Sequence, residues 1–176
     1  MQKLAKLRFI NKSFSGMDFY KFVWLLLLNR FDRIFFKKFY YYEDKKTYTL
    51  NFVFNHQHSK IKLRRQDIVI FFEVFYLKVY EVRLVEPENV KVMVDVGSHI
   101  GFVSLYYSLI FPGVKIYCLE PSVENIKLLN FNCKDFSISP YAISNTSGFG
   151  YFDTSFNSYN SKLDSKGEKI ETITFN

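Results

Sequence analysis

Cysteine is scarce in this 176-residue chain: only Cys118 and Cys133 occur. Two thiols cannot build a disulfide framework, and with no export signal both are expected to be reduced thiols in a cytoplasmic protein. Long apolar runs are missing as well. The longest, Phe22 to Leu28, falls far short of the roughly 18–20 residues a membrane-spanning helix needs. The opening stretch MQKLAKLRFI is basic but has neither an apolar h-region nor a small-residue cleavage site, so no signal peptide is read there. Without a secretory route, the triplets Asn11-Lys12-Ser13 and Asn145-Thr146-Ser147 are not read as glycan sites. Internal repeats and low-complexity tracts are absent.

Acids are scarce in one part of the chain. Residues 1–66 hold 15 Lys/Arg against 4 Asp/Glu, a net of +11, whereas residues 67–176 hold 9 against 13, a net of −4; the whole chain carries +7. The front is therefore basic and aromatic, the back mildly acidic. A basic front can meet anionic lipid, nucleic acid or a phosphate-bearing substrate, or be a solvated surface. No nucleic-acid partner is expected; peripheral membrane contact stays open.

What is present is apolar mass. Hydrophobic residues make up 48% of the chain, with 21 Phe and 13 Tyr, enough for a packed core and against wholesale disorder. Asp18 to about Tyr42 has apolar residues recurring at three and four, which predicts helix; one reading of it is an interfacial helix lying on a membrane. Thr47 to Leu63 alternates and breaks at Asn55 to Ser59, which predicts a β-hairpin with His56 and His58 in its turn. No Cys or acid cluster accompanies those histidines, so no metal site is expected. Asp67 reads as the N-cap of a helix through about Tyr80, and Ile68, Phe71, Phe72 and Phe75 as its buried stripe. The expected division is an N-terminal extension, 1–66, and a second domain, 67–176.

From Val90 the grammar changes. Lys91 to Val96 reads as a strand, about Gly101 to Ile110 as a helix ended by Phe111-Pro112-Gly113, and Val114 to Leu119 as a second strand. Ser122 can cap a helix to about Asn132, and Ser137 to Ser144, broken by Pro140, is a third strand. Alternation at this spacing predicts an α/β fold with parallel strands in the order 3-2-1. Gly150 to Thr154 and Lys169 to Phe175 predict a hairpin around a polar loop, Ser155 to Lys166.

Open parallel sheets bind ligands at the carboxyl ends of their strands, so the turn in VMVDVGSHIG is the candidate site. Gly97 and Gly101 let a backbone bend sharply and approach a ligand closely. The spacing G-x-x-x-G lacks the middle glycine of the nicotinamide fingerprint, which weakens an oxidoreductase reading. Asp95, two residues before the first glycine, would face phosphates badly but would suit an ammonium-bearing ligand. Glu120, at the end of the second strand, can accept both hydroxyls of a ribose.

The stretch VDVGSHIGFVSLYYSLIFPGVKIYCLEPSVENIKLLNFN resembles the cofactor half of FkbM-type S-adenosylmethionine-dependent methyltransferases. QDIVIFFEVFYLKVYE is similar to that family's lead-in helix, AISNTSGFGYFDTS to its third-strand exit and hairpin, and IETITF to the start of a Thr-Leu-Asp-Asp signature. The resemblance spans roughly Asp67 to Phe175. It implies an incomplete Rossmann-like methyltransferase fold with S-adenosylmethionine as cofactor. Asp95, Gly97, Ser98, His99 and Gly101 would shape the cofactor loop, and Glu120 would bind the ribose. The implied reaction is methylation of a hydroxyl on a sugar, glycan or natural product.

Two departures stand out. His99 occupies a loop position usually held by asparagine; it can still donate one hydrogen bond, and a base role is the sharper alternative. The chain also stops at Thr174-Phe175-Asn176, where the family continues into a fourth strand with residues near the reaction centre. The expectation is a truncated sheet whose first strand is an open edge, covered by a partner chain or left bare in an inactive product. A non-catalytic cofactor-binding or interaction module is the competing reading.

Overall fold

The computed structural model describes residues 2–35, 45–82, 86–153, 162–164 and 167–174. The chain divides into two compact units near residues 83 and 84. The segment after Asp67 therefore belongs with the N-terminal unit, whereas the sequence pattern alone joins it to the second domain.

In the first unit, helix α1 (Gln2–Ser13) and helix α2 (Gly16–Phe35) precede an antiparallel hairpin of β1 (Thr47–Phe54) and β2 (Gln57–Arg64). Nothing in the sequence pattern anticipates α1. The helix expected from Asp18 begins two residues earlier; its expected end, residues 36–42, lies outside the described residues. The hairpin turn is only Asn55-His56, both at positive φ (47° and 64°), the geometry of a two-residue type I′ turn. His58 is consequently not in the turn but in β2, opposite Val53.

The helix expected to run to Tyr80 is shorter. A 3₁₀ turn (Arg65–Asp67) leads into α3 (Ile68–Phe71), which loosens into a π turn (Phe72–Tyr76). Asp67 does not cap it. Its carboxylate turns back to accept from the Arg64 main-chain N–H (2.8 Å), Nε (2.9 Å) and Nη2 (3.1 Å), and a guanidinium outcompetes a single helix amide. The expected stripe of Ile68, Phe71, Phe72 and Phe75 is buried. It meets Phe14, Phe22 and Phe52 in an aromatic core, with Phe14 stacked on Phe22 at 4.3 Å and Phe52 edge-on to Phe75 at 4.7 Å. Such pairs add about 0.5–1.5 kcal/mol each beyond the area they bury.

The second unit is mixed α/β. A three-stranded parallel sheet, in the order β3 (Val92–Val96), β4 (Lys115–Leu119), β5 (Ser137–Ser139), is built through α4 (Phe102–Ser108) and α5 (Val123–Asn132). That is the expected order, with α5 capped by Ser122 Oγ accepting from the Asn125 N–H. Pro140, with no N–H to give a ladder, separates β5 from β6 (Tyr141–Ile143). β6 enters another sheet, ordered β6-β9-β7-β8, with β7 (Gly148–Asp153), β8 (Lys162–Asp164) and β9 (Glu168–Ile173). The expected antiparallel pairing is β7 with β9, and β6 joins β9 in parallel. Most of the polar loop 155–166, with Thr154 and Phe175, lies outside the described residues.

Alternation splits β3 and β4 between two faces. Ile116 and Cys118 are buried and Asp95 bonds to α4, while Val92, Val94, Val96 and Tyr117 are exposed on the opposite face. Among the described residues β3 pairs only with β4, so it is an edge.

Candidate functional site: the glycine turn after β3

The turn between β3 and α4 is drawn onto the end of β4. The N–H groups of Gly97 and Ser98 both donate to the Leu119 carbonyl, at 2.8 and 3.0 Å. Gly97, His99 and Gly101 all lie at positive φ (76°, 52° and 89°). Three left-handed residues in five make a tight loop that brings main-chain N–H groups to one side. Histidine suits this position, being one of the residue types enriched in the left-handed region.

The two glycines serve different purposes. A Cβ on Gly97 would meet nothing within 4 Å, so its backbone borders open space. A Cβ on Gly101 would lie 2.5 Å from Cys133 Sγ and 2.6 Å from Leu129 Cδ1. Gly97 therefore leaves room for something outside, whereas Gly101 is needed for α5 to pack.

Glu120 is brought to this turn, as the spacing implied, but the residue is only 4% exposed and its carboxylate is engaged by the protein. Oε2 accepts from the His99 N–H at 2.8 Å. Oε1 accepts from the Ser122 N–H at 2.9 Å and from Asn125 Nδ2 at 3.1 Å. Farther along α5, Asn132 Nδ2 donates to the Ile100 carbonyl at 2.8 Å. The loop is thus tied to α5 at both His99, through Glu120, and Ile100.

Asp95 and Ser98 are also bonded inward. Ser104 Oγ, in the first turn of α4, donates to Asp95 Oδ2, and Ser98 Oγ donates to the Asp95 carbonyl at 2.7 Å. Burial pushes the Asp95 carboxyl above its ordinary value against the opposing Ser104 bond. Burial likewise raises the Cys118 and Cys133 thiols, making both poor nucleophiles.

All six candidate residues, Asp95, Gly97, Ser98, His99, Gly101 and Glu120, therefore fall in or directly against one turn. Sequence reasoning missed Ser104, Asn125 and Asn132, which hold three of its polar groups. Only Asn125 carried a signal, three residues after a capping serine. Among the described residues no group of three or more His, Cys, Asp or Glu is placed to hold a metal ion, and no helix is long and apolar enough to cross a membrane. Comparison with known proteins finds no matching family model, no similar curated protein and no similar solved structure.

Proposed function

We propose that the chain is an S-adenosylmethionine-dependent methyltransferase of the FkbM type, acting on a hydroxyl of a sugar, glycan or natural product. The observation that carries this reading is the left-handed glycine turn at the carboxyl end of a parallel strand, with the acid of the neighbouring strand bonded to its central amide. Enzymes with open parallel sheets hold nucleoside ligands at this place.

The residues fit such a cofactor in part. Gly97 borders open space where a ligand can approach the backbone. Glu120 has the chemistry to accept ribose hydroxyls, and it would do so by exchanging one of its internal donors, the His99 N–H being the one on the loop. Asp95 would favour an ammonium nearby. The cofactor, when bound, supplies a methyl group on a sulfonium; the chain's own part is to position it, exclude water and orient the acceptor hydroxyl.

The competing reading, a non-catalytic module derived from such an enzyme, also has an observation behind it. Both Glu120 oxygens already accept from the protein, and β3 pairs on one side only among the described residues. Calorimetric titration with S-adenosylhomocysteine, with NAD as control, tests both. Saturable binding of the first alone supports the methyltransferase site. Binding of NAD alone overturns it in favour of an oxidoreductase. No binding by a folded chain leaves the non-catalytic interaction module, and binding without methyl transfer leaves the non-catalytic cofactor-binding one.

A further inference from the structure

Helix α2 has two apolar faces, and only one is used by the core. Asp18, Phe22, Leu25 and Asn29 form its buried row. At 100° per residue, Met17, Tyr20, Trp24 and Leu27 form a second row nearly opposite. These four are 70%, 68%, 61% and 55% exposed. Exposed apolar residues scattered singly need no explanation, but a continuous row over three turns of one helix does. The composition of the row is also specific. Trp and Tyr pair an apolar body with a polar tip, which suits the boundary between lipid headgroups and acyl chains.

Charge decides what this row meets. On the helical wheel Lys21, exposed although paired with Asp18 at 3.3 Å, lies on one flank of the row and exposed Arg30 on the other. Exposed Arg8 and Lys12 follow on α1, within the part of the chain that carries +11. A second copy laid against this row would bring like charges together. A negatively charged bilayer surface would attract them while the row inserts.

We propose that α2 docks the protein on the surface of anionic phospholipid membranes, lying in the interface with Met17, Tyr20, Trp24 and Leu27 turned into it. This inference is independent of the methyltransferase reading.

The chain contains a single tryptophan, Trp24, so its fluorescence reports the docking face directly. The full chain is titrated with vesicles of phosphatidylserine and phosphatidylcholine, and with vesicles of phosphatidylcholine alone. The expected result is a blue shift with the anionic vesicles, quenching by brominated acyl chains, and reversal at high salt. Arg30→Glu is expected to weaken partitioning roughly fivefold or more. Tyr20→Ser with Leu27→Ser is expected to abolish the shift while leaving the far-ultraviolet circular dichroism unchanged, since both positions are exposed. Unchanged Trp24 emission in the presence of anionic vesicles would overturn the proposal. So would flotation with vesicles that leaves Trp24 unquenched, which would place the contact elsewhere. A shift that needs no lipid and grows with protein concentration would instead assign the row to a second copy.

Discussion

The main-chain N–H of His99 donates to the Glu120 carboxylate at 2.8 Å, across 21 residues of sequence. This bond joins the turn after one parallel strand to the end of the next. Glu120 is therefore a structural keystone, because the same carboxylate also accepts from the Ser122 N–H and from Asn125 at the start of α5. Under the proposed function, ligand affinity and loop stability would be coupled through this one side chain.

Glu120→Ala removes the acceptor of three donors, two of them main-chain N–H groups next to a buried side chain. A charge-assisted bond is worth about 1.5–3 kcal/mol, and deleting one partner also leaves the donors unsatisfied. Urea unfolding should show a loss of at least about 2 kcal/mol. Binding of S-adenosylhomocysteine, if present in the parent, should weaken by about 1.5–3 kcal/mol in the fraction that remains folded. An unchanged urea midpoint would remove the keystone role; unchanged affinity in a folded variant would remove the ribose role.

Gly97→Ala and Gly101→Ala should separate function from packing. At Gly97 the added methyl meets open space, so the cost is only left-handed strain, about 1–2 kcal/mol. At Gly101 the same strain is joined by collision with Cys133 and Leu129, and the total should reach about 3 kcal/mol or more. Thermal unfolding compares the two stabilities, and titration with S-adenosylhomocysteine reads the site. Gly97→Ala is expected to fold and to lose binding. If it binds like the parent, no ligand approaches the backbone there.

The elements that were legible in the sequence are those whose signals are local. β3, α4, β4 and α5 each carry their own apolar pattern and stop signal, and parallel order follows from connection handedness. The glycine turn was legible because positive φ demands particular residues. Helix α1 was not, because QKLAKLRFINKS mixes cations into every turn and buries only Ile10 and Ser13 among its described side chains. The parallel pairing of β6 with β9 was not, because it joins segments about thirty residues apart, and a strand's own pattern does not name its partner. Asp67 misled for a physical reason: an acid before an apolar run is a cap unless a guanidinium stands closer, and Arg64 does. The inward bonding of Glu120 was equally hidden, since which donors reach a carboxylate is settled by the path of the loop.

Asp67 and Arg64 form a bidentate ion pair with both side chains almost wholly buried. Removing Asp67 takes away three bonds that Arg64 makes to a buried carboxylate. Asp67→Ala should therefore cost about 3–5 kcal/mol in urea unfolding. The double variant Asp67→Leu with Arg64→Met should cost clearly less, because both charges leave together. If Asp67→Ala alone costs under about 1 kcal/mol, water reaches Arg64 in solution and the pair is not a buried one.

Asp18 and Asp95 should pull acid stability in opposite directions. Burial would raise Asp18, but donation from the Asn51 N–H and Nδ2, with the Lys21 ammonium beside it, outweighs this and holds its carboxyl below the ordinary value. Its stabilisation is present above the unfolded carboxyl's pKa and is lost as pH falls through the lower folded value. For Asp95 burial wins over the Ser104 bond and the folded value is raised. Ionising it costs the fold stability at neutral pH, and that cost is relieved as pH falls through the raised value. Urea midpoints measured from neutral pH downward should therefore place Asp18→Asn below the parent and Asp95→Asn above it at neutral pH. The carboxamide introduced by Asp95→Asn can still accept from Ser104, so the comparison isolates the charge. Both differences should shrink towards zero as pH drops below the carboxylate range. If Asp95→Asn is instead the less stable protein at neutral pH, the Ser104 bond to the ionised carboxylate outweighs its burial. Asp95 would then stand ready as an anion beside the turn, the state an ammonium-bearing ligand requires.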